Sequence, residues 1–207
     1  MPTLLHIDVS PRGDYSISRQ VSAAAVKAWR DKYPTGEVIE RNLASTSLSF
    51  VDMDWIAGAF TPPDQHTDSN KNALAISDEL VAELLAADEI VIGTPMYNFA
   101  IPAVLKAWID HVVRAGKTFR YTASGVEGLA TGRKVVIVVA SAGAYQDGSG
   151  IEALNYETPY LRHILGFIGI TEIAFIQAGG TQSIAQGKIS KEDFIAPLVQ
   201  QAAAAIG

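Results

Sequence analysis

Two runs of apolar residues constrain the fold of this chain more than any other feature. Glu89–Ile92 and Lys134–Ala140 have the length of strands, and after their first residue they contain only apolar side chains. A strand with one face in solvent alternates polar and apolar residues, so these runs predict strands that are buried on both faces. Such strands are typical of the centre of a parallel sheet.

Strand-like and helix-like segments alternate around these two runs. Further strands are predicted over Leu4–Val9, Glu37–Leu43 and Glu172–Gln177, of which the more polar Glu37–Leu43 belongs nearer an edge. Helices are predicted over Ser18–Tyr33, Asn70–Ala87, Pro102–Arg114, Tyr156–Ile168 and Lys191–Ile206. The alternation predicts an α/β fold, namely a flavodoxin-like, doubly wound, five-stranded parallel sheet of order 2-1-3-4-5 with helices on both faces.

The organisation of the chain predicts a single domain over residues 1–207. No internal repeat, low-complexity tract or linker divides the sequence, and its length suits one α/β domain. The segment 44–70 is the least periodic and contains Pro62-Pro63. Because long structureless connections are uncommon, we expect short helical pieces or a functional excursion there.

Charge and composition exclude several classes of function. The net charge of −6, without a block of basic residues, argues against a nucleic-acid partner. Zero cysteines exclude disulfides, thiol catalysis and thiolate metal sites. The four histidines show no ligand spacing, so we expect no metal site, and we expect His6 and His111 to be structural. The sequence lacks signal-peptide features and apolar runs of about 20 residues, which predicts a soluble, cytoplasmic protein with no membrane segment.

The loop after the first predicted strand is rich in hydroxyl groups. Ser10, Ser16 and Ser18 lie in it, with the helix starting near Ser18. A phosphate at a helix N-terminus meets unpaired N–H groups and the positive end of the helix dipole. Helix capping by Ser16 or Ser18 explains the same residues equally well. Arg12 fits either a phosphate clamp or a solvated loop side chain.

Two further loops follow the apolar strands. In Pro95–Phe99, Asn98 can donate and accept hydrogen bonds, while Tyr97 and Phe99 offer stacking faces. The alternative is a plain strand-to-helix connection with Asn98 as a turn residue. In the loop that begins at Ser141, small residues around Gly143 allow a ligand close to the backbone, although an ordinary turn has the same composition.

The predicted strand order brings these three loops together. Strands one, three and four are neighbours in the order 2-1-3-4-5, so their carboxyl ends form one crevice at the topological switch point. The loops together fit flavin mononucleotide (FMN). The first would hold the phosphate, the second the ring and ribityl chain, and the third the pyrimidine edge.

Four segments carry a family resemblance: Ser10-Pro-Arg-Gly with Ser16-Ile-Ser18, Pro95-Met-Tyr-Asn-Phe99, Phe119-Arg-Tyr121-Thr and Leu165-Gly-Phe-Ile-Gly169. Over nearly its whole length the chain resembles the FMN-dependent NADH azoreductases, which are related to the flavodoxin-like NAD(P)H:quinone reductases. The resemblance implies a homodimer with one non-covalent FMN per subunit and active sites at the interface.

The resemblance and the loop chemistry give a set of predicted site residues. The residues expected to contact FMN are Ser10, Ser16, Ile17, Ser18, Pro95, Met96, Tyr97, Asn98, Phe99, Ser141, Ala142, Gly143 and Ala144. The residues expected to line a substrate pocket or a dimer contact are Phe60, Phe99, Phe119 and Tyr121. The family often has Ser-Arg-Gly-Gly in the third loop, where this chain has Ser141-Ala-Gly-Ala144, so we expect an altered substrate or nicotinamide preference.

The predicted activity is the reduction of small aromatic acceptors, such as quinones and azo compounds, by NADH or NADPH. We expect ping-pong, two-electron hydride transfer in which the cofactor carries the chemistry and no side chain is required as a catalyst. One alternative is a flavodoxin-like electron-transfer protein without its own nicotinamide site. Another is a cofactor-free hydrolase that uses Ser141. No acidic ribose-binding fingerprint decides between NADH and NADPH.

Overall fold

The computed structural model describes residues 1–206, and Gly207, the last residue of the predicted domain, lies outside that range. The strands are β1 (Thr3–Asp8), β2 (Glu37–Asn42), β3 (Glu89–Pro95), β4 (Phe119–Thr122), β5 (Gly125–Gly128), β6 (Lys134–Ser141) and β7 (Glu172–Gly179). The α-helices are α1 (Ile17–Lys32), α2 (Met53–Phe60), α3 (Asp68–Ala86), α4 (Ala103–Val112), α5 (Glu157–Phe167), α6 (Gln182–Ala185) and α7 (Lys191–Ala205).

Five parallel strands form the main sheet in the order β2-β1-β3-β6-β7. This is the predicted order 2-1-3-4-5 once the hairpin β4–β5 is left out, so the predicted fold class is confirmed. Every residue of β3 is buried, as the unbroken apolar run predicted. The more polar β2 lies at an edge, because partly exposed positions tolerate its charged residues.

Alternate side chains of the central strands build a core on each face of the sheet. On one face Leu5, Ile90 and Ile137 pack in a cluster to which α3, α4 and α5 contribute. On the other face Leu4 and Val91 pack in a cluster with α1 and α7. Burial of each such aliphatic side chain contributes about 1.5–3 kcal/mol. The sheet is therefore covered on both sides, and only its ends and loops are open to a ligand.

The antiparallel hairpin β4–β5 was not predicted. Its strands have four residues each, and after Phe119 the side chains of β4 are exposed. Such a short, exposed strand leaves no burial pattern in the sequence. By contrast, segment 44–70 contains α2 and a 3₁₀ turn at Pro63–Gln65, which confirms the short helical pieces expected there.

The central strands extend beyond their predicted ends and reach the ligand loops. β3 continues to Pro95 because its last residues pair with 138–140 of β6, and β6 continues to Ser141 because that residue pairs with Gly179 of β7. Helix α1 packs closely against this end of the sheet. A Cβ atom on Gly93 would lie 2.7 Å from Ser22 Oγ, so the glycine permits the close approach. Within residues 1–206, none of the helices combines the length and apolar composition that crossing a bilayer requires.

Candidate active site

A cavity of about 620 Å³ lies at the carboxyl ends of β1, β3 and β6. It is lined by the three predicted loops and by residues between 181 and 191, which follow β7. A second cavity of about 220 Å³ adjoins the first, since Met96, Ser141 and Ala142 line both. Cofactor sites typically occupy a few hundred to about 1,000 Å³. The two cavities together have the size of a cofactor and substrate site.

Most of the predicted FMN contacts meet at these cavities. The residues that line one or both are Ser10, Ser16, Ile17, Pro95, Met96, Tyr97, Asn98, Phe99, Ser141 and Ala142. Ser18, Gly143 and Ala144 line neither. Ser18 is fully buried, and its hydroxyl lies 3.1 Å from that of Ser16. The Ser18 side chain therefore contacts Ser16 beneath the first loop and does not face the cavity.

The N-terminus of α1 keeps unused donors. The side chain of Ser16 caps the helix by accepting from Arg19 N at 3.4 Å, and the Ser16 carbonyl accepts from Gln20 N at 3.2 Å. The N–H groups of Ile17 and Ser18 find no acceptor among residues 1–206. Capping and anion binding are thus compatible here, because the cap satisfies only part of the first turn.

The first loop is braced by Arg19. Ser10 is only 1% exposed, its carbonyl accepts from Arg19 Nε at 3.0 Å, and its hydroxyl accepts from Arg12 N at 3.3 Å. Arg19 also donates to Asn42 Oδ1 at 2.6 Å and lies 3.4 Å from the carboxylate of Asp8. Burial raises the pKa of Asp8, and the charges of His6 and Arg19 oppose the rise. The guanidinium therefore joins the loop to the ends of β1 and β2.

The second loop is a two-residue turn at Asn98 and Phe99. Both residues have positive φ, +49° and +71°, and the flanking Tyr97 and Ala100 exchange backbone hydrogen bonds of 3.0 and 3.1 Å. Positive φ at both central positions is the geometry of a type I′ turn. For a bulky residue such as Phe99 this conformation is strained, and strain of this kind concentrates at functional sites. The turn places Asn98 and Phe99 in the lining of the smaller cavity.

Tyr145 completes the smaller cavity and was not predicted. Its ring meets that of Phe99 edge-on, with 5.8 Å between centroids and 84° between planes. A Cβ atom on Gly143 would lie 2.7 Å from the Tyr145 ring, so glycine allows the ring to lie over the backbone. The backbone N–H of Tyr156 donates to the Phe99 carbonyl at 3.0 Å, which ties the two loops together.

Glu157 is buried behind the second loop. The hydroxyl of Thr94 donates to its Oε1 at 3.1 Å, whereas the buried Oε2 has no hydrogen-bond partner among the described residues. Burial raises the pKa of Glu157 to about 8. The carboxyl group is therefore neutral at pH 7 and needs no counter-ion. Sequence patterns carry no signal for such a residue, because its burial depends on how α5 docks.

Of the four predicted substrate contacts, only Phe99 lines a cavity. Phe60 and Tyr121 are 75% and 72% exposed and line neither cavity. Phe119 is 7% exposed and packs on Phe167 with 4.8 Å between ring centroids. Phe119 therefore lines neither cavity of this chain, because the hairpin folds its ring against α5.

The wall formed by residues 181–191 was missed from the sequence. Thr181 N and Gln182 N donate to the carbonyls of Ser141 and Ala142 at 3.0 and 3.2 Å, so this segment is attached to the third loop. This wall could have been inferred from the predicted strand order. Strand five lies beside strand four, and the loop that follows it must emerge at the same edge.

The two histidines singled out from the sequence have partners within the fold. His6 Nδ1 lies 2.6 Å from Glu40 Oε2, and the buried His111 lies 2.8 Å from the Ser49 carbonyl. Both are placed as structural residues. In the part of the chain that the structure describes, no group of three His, Asp or Glu side chains is arranged to hold a metal ion.

Comparison with known proteins agrees with this geometry. A family profile described as "Flavodoxin-like fold" matches residues 2–202. An FMN-dependent NADH:quinone oxidoreductase of Jannaschia sp. (strain CCS1) is 47% identical over 205 residues, which cover 99% of each protein. The FMN-dependent NADH:quinone oxidoreductase of Nostoc sp. (strain PCC 7120) is 45% identical over 197 residues, 95% of this chain and 94% of the relative.

A solved structure shows the same similarity in three dimensions. The azoreductase from Bacillus anthracis str. Sterne superposes with a TM-score of 0.88 at 28% identity, covering 99% of this chain and 98% of that one. The similarity extends over almost the whole of each protein, so the predicted resemblance is confirmed. The chain therefore belongs to the family of FMN-dependent NADH:quinone oxidoreductases and azoreductases, within the flavodoxin-like fold.

Proposed function

We propose that this chain binds FMN non-covalently and catalyses the reduction of quinones and azo compounds by NADH or NADPH. The observation that carries the proposal is the cavity at the ends of β1, β3 and β6. Free backbone donors lie at the start of α1, and an amide and aromatic rings lie at the second loop. The proposal treats residues 1–207 as one FMN-binding domain, as the family match over 2–202 supports.

The first loop suits the phosphate of FMN. The N–H groups of Ile17 and Ser18 have no acceptor in the described chain, and a helix N-terminus attracts an anion. Ser10 and Ser16 add buried hydroxyl groups at the cavity wall. Ser18 would contribute its backbone rather than its side chain, because its hydroxyl is turned to Ser16.

The second and third loops suit the flat ring. Met96 and Tyr97 present apolar surface on one side of the larger cavity, and Asn98 offers both a donor and an acceptor at the smaller one. Gly143 and Ala144 would act through their backbone N–H groups, since neither residue is part of the lining of a cavity. Such fixed donors stabilise negative charge on a bound ring without reorganising.

When bound, FMN would supply the hydride-accepting and hydride-donating chemistry of the reaction. The chain's own part is to orient the ring, to exclude water and to offer one slot beside Phe99 and Tyr145. Because the slot is small, we propose that the nicotinamide and the acceptor occupy it in turn, which is a ping-pong order with transfer of two electrons. No side chain is proposed as an acid or base.

We also propose a homodimer with active sites at its interface. Phe50, Met53 and Phe60, in and before α2, are each about three-quarters exposed, as is Tyr121 on the hairpin. Exposed apolar groups of this kind mark interaction surfaces. In such a dimer Phe60 and Tyr121 would contact the acceptor held by the partner subunit. The cytoplasm, where reduced nicotinamides are produced, is the compartment that we propose.

An absorbance spectrum of the purified protein before and after anaerobic NADH tests the function. We expect flavin bands near roughly 450 nm that bleach with NADH and return when a quinone is added. Bands that persist with NADH would favour the electron-transfer alternative. A colourless protein that FMN cannot reconstitute would contradict the proposal, and esterase activity lost in Ser141→Ala would then support the hydrolase.

Light scattering of the same sample tests the dimer. We expect twice the chain mass, and we expect Met53→Asp to shift the protein toward the monomer while it still binds FMN. A monomeric wild-type protein with full activity would contradict the interface active site and leave the FMN proposal intact.

A further inference from the structure

Two cationic side chains line the larger cavity without partners. Arg12 is exposed in the first loop, and Lys191 is half-buried as the first residue of α7. Neither side chain makes a hydrogen bond or an ion pair with the residues that the structure describes. No aspartate or glutamate lines this cavity. The cavity therefore holds positive charge that the protein itself does not neutralise.

The fold brings Lys191 to the same cavity as the start of α1, where the phosphate is proposed to bind. Helices α1 and α7 contribute to the same core cluster on one face of the sheet, and they pack against each other. Both start at the edge where the carboxyl ends of the strands lie, and Lys191 shares the cavity lining with Ser16 and Ile17. Arg12 lies in the first loop, after β1, whereas Lys191 lies in the segment that follows β7.

We infer that Lys191, together with Arg12, binds the phosphate of FMN and makes this site select phosphorylated flavin over riboflavin. The inference rests on the proposed function. A phosphate monoester carries about −1.5 to −2 charges at pH 7. The neutral donors at Ser10, Ile17 and Ser18 hydrogen-bond it but cannot cancel that charge. An ammonium group on a flexible stem supplies a point charge that adjusts to the phosphate.

The phosphate of FMN and the 2′-phosphate of NADPH are both anions that these cations would attract. Titration of the apoprotein with flavin alone tests the FMN phosphate without the other. Flavin binding is followed through flavin fluorescence, with no nicotinamide present, using FMN and riboflavin in parallel. The variant is Lys191→Met, which keeps the apolar stem and removes the charge. Lys188→Met is the matched control, since Lys188 is exposed and does not line the cavity.

We expect Lys191→Met to raise the dissociation constant of FMN about tenfold and to leave that of riboflavin unchanged, as loss of a charge-assisted contact predicts. Lys191→Arg should restore FMN binding, and Lys188→Met should bind both flavins as the wild type does. Arg12→Met should weaken FMN binding less, because Arg12 is more exposed. The wild-type preference for FMN should also fall with added salt more steeply than that of Lys191→Met.

Three outcomes would overturn the inference while the proposed function stands. They are a wild-type protein that binds riboflavin as tightly as FMN, a Lys191→Met variant with unchanged FMN binding, and a variant that loses affinity for both flavins equally. If instead the wild type binds neither flavin, the proposed function and the inference fail together. Unchanged FMN binding in Lys191→Met, together with a higher KM for NADPH but not for NADH in a separate steady-state assay, would assign the lysine to the nicotinamide and contradict the role in FMN binding.

Discussion

The hydroxyl of Thr94 donates a 3.1 Å hydrogen bond to the carboxyl group of Glu157, and both side chains are fully buried. Thr94 is the penultimate residue of β3, and Glu157 is the first residue of α5. The contact joins the strand that carries the Asn98–Phe99 turn to the helix beside it. Since burial raises the pKa of Glu157 to about 8, this contact is made by a neutral acid at pH 7.

The raised pKa of Glu157 predicts a falling stability between about pH 4.5 and pH 8. In that window the unfolded chain ionises Glu157 while the folded chain keeps the proton, so the folded state binds more protons and loses stability as pH rises. Above the folded pKa both states are ionised and this contribution levels off. The full shift corresponds to about 5 kcal/mol as an upper bound.

Glu157→Gln tests this because glutamine stays neutral at every pH. We expect the variant to gain stability relative to the wild type from pH 5 to pH 9, measured by urea denaturation across that range. Glu37→Gln, at an exposed position, is the control and should show no such trend. Parallel pH profiles for Glu157→Gln and the wild type would contradict the buried neutral acid.

Phe99→Gly separates backbone strain from ring contacts at the second loop. Glycine relieves the positive φ of +71°, a gain of about 1 kcal/mol, and loses the edge-on contact with Tyr145, a loss of about 1 kcal/mol. Phe99→Leu loses the ring contact and keeps the strain. We therefore expect Phe99→Gly to be more stable than Phe99→Leu by about 1 kcal/mol in urea denaturation, although it removes more side chain.

A lower stability of Phe99→Gly than of Phe99→Leu would show that the turn is not strained. Both variants should lower kcat/KM for quinone reduction, since both remove the ring that lines the smaller cavity.

Ala142→Phe tests the junction of the two cavities. Ala142 is exposed and lines both, so a phenyl group would occupy ligand space without entering the core. We expect the dissociation constant of FMN to rise by about tenfold or more, while the unfolding free energy of the apoprotein changes by less than about 0.5 kcal/mol. Ala123→Phe in the β4–β5 turn is the matched control, and equal flavin binding in both variants would contradict the site.

Arg19→Met tests the brace of the first loop. The substitution removes the donors to the Ser10 carbonyl and to Asn42, and it leaves the half-buried Asp8 without its cation. We expect a loss of about 2 kcal/mol in unfolding free energy, together with weaker FMN binding. Arg30→Met, which breaks the exposed pair with Glu40, should cost less than about 1 kcal/mol. Similar losses in the two variants would argue against the brace.

The fold and three of the four cavity walls could be predicted because they depend on local patterns. The apolar runs that became β3 and β6 are hydrophobic on both faces, and only the centre of a covered parallel sheet buries both faces of a strand. Once these two strands and β1 are neighbours, the loops after them must meet at one edge. The position of Ser10, Asn98 and Ser141 at the two adjoining cavities follows from that topology alone.

The remaining features depend on contacts between distant segments. Phe119 carries the same aromatic side chain as Phe99, yet the hairpin buries its ring against Phe167 while the turn exposes that of Phe99. Lys191 reaches the larger cavity because α7 packs on α1. Tyr145 lies at the smaller cavity, where its ring contacts that of Phe99.

The sequence by itself determined the strand order, the loops that hold the site and the family. Tertiary structure alone decided which side chains are exposed to a ligand, which cations stay unpaired and which carboxyl group stays neutral. The physical reason is that periodicity and turn chemistry act over a few residues, whereas burial and charge compensation depend on every segment that packs nearby.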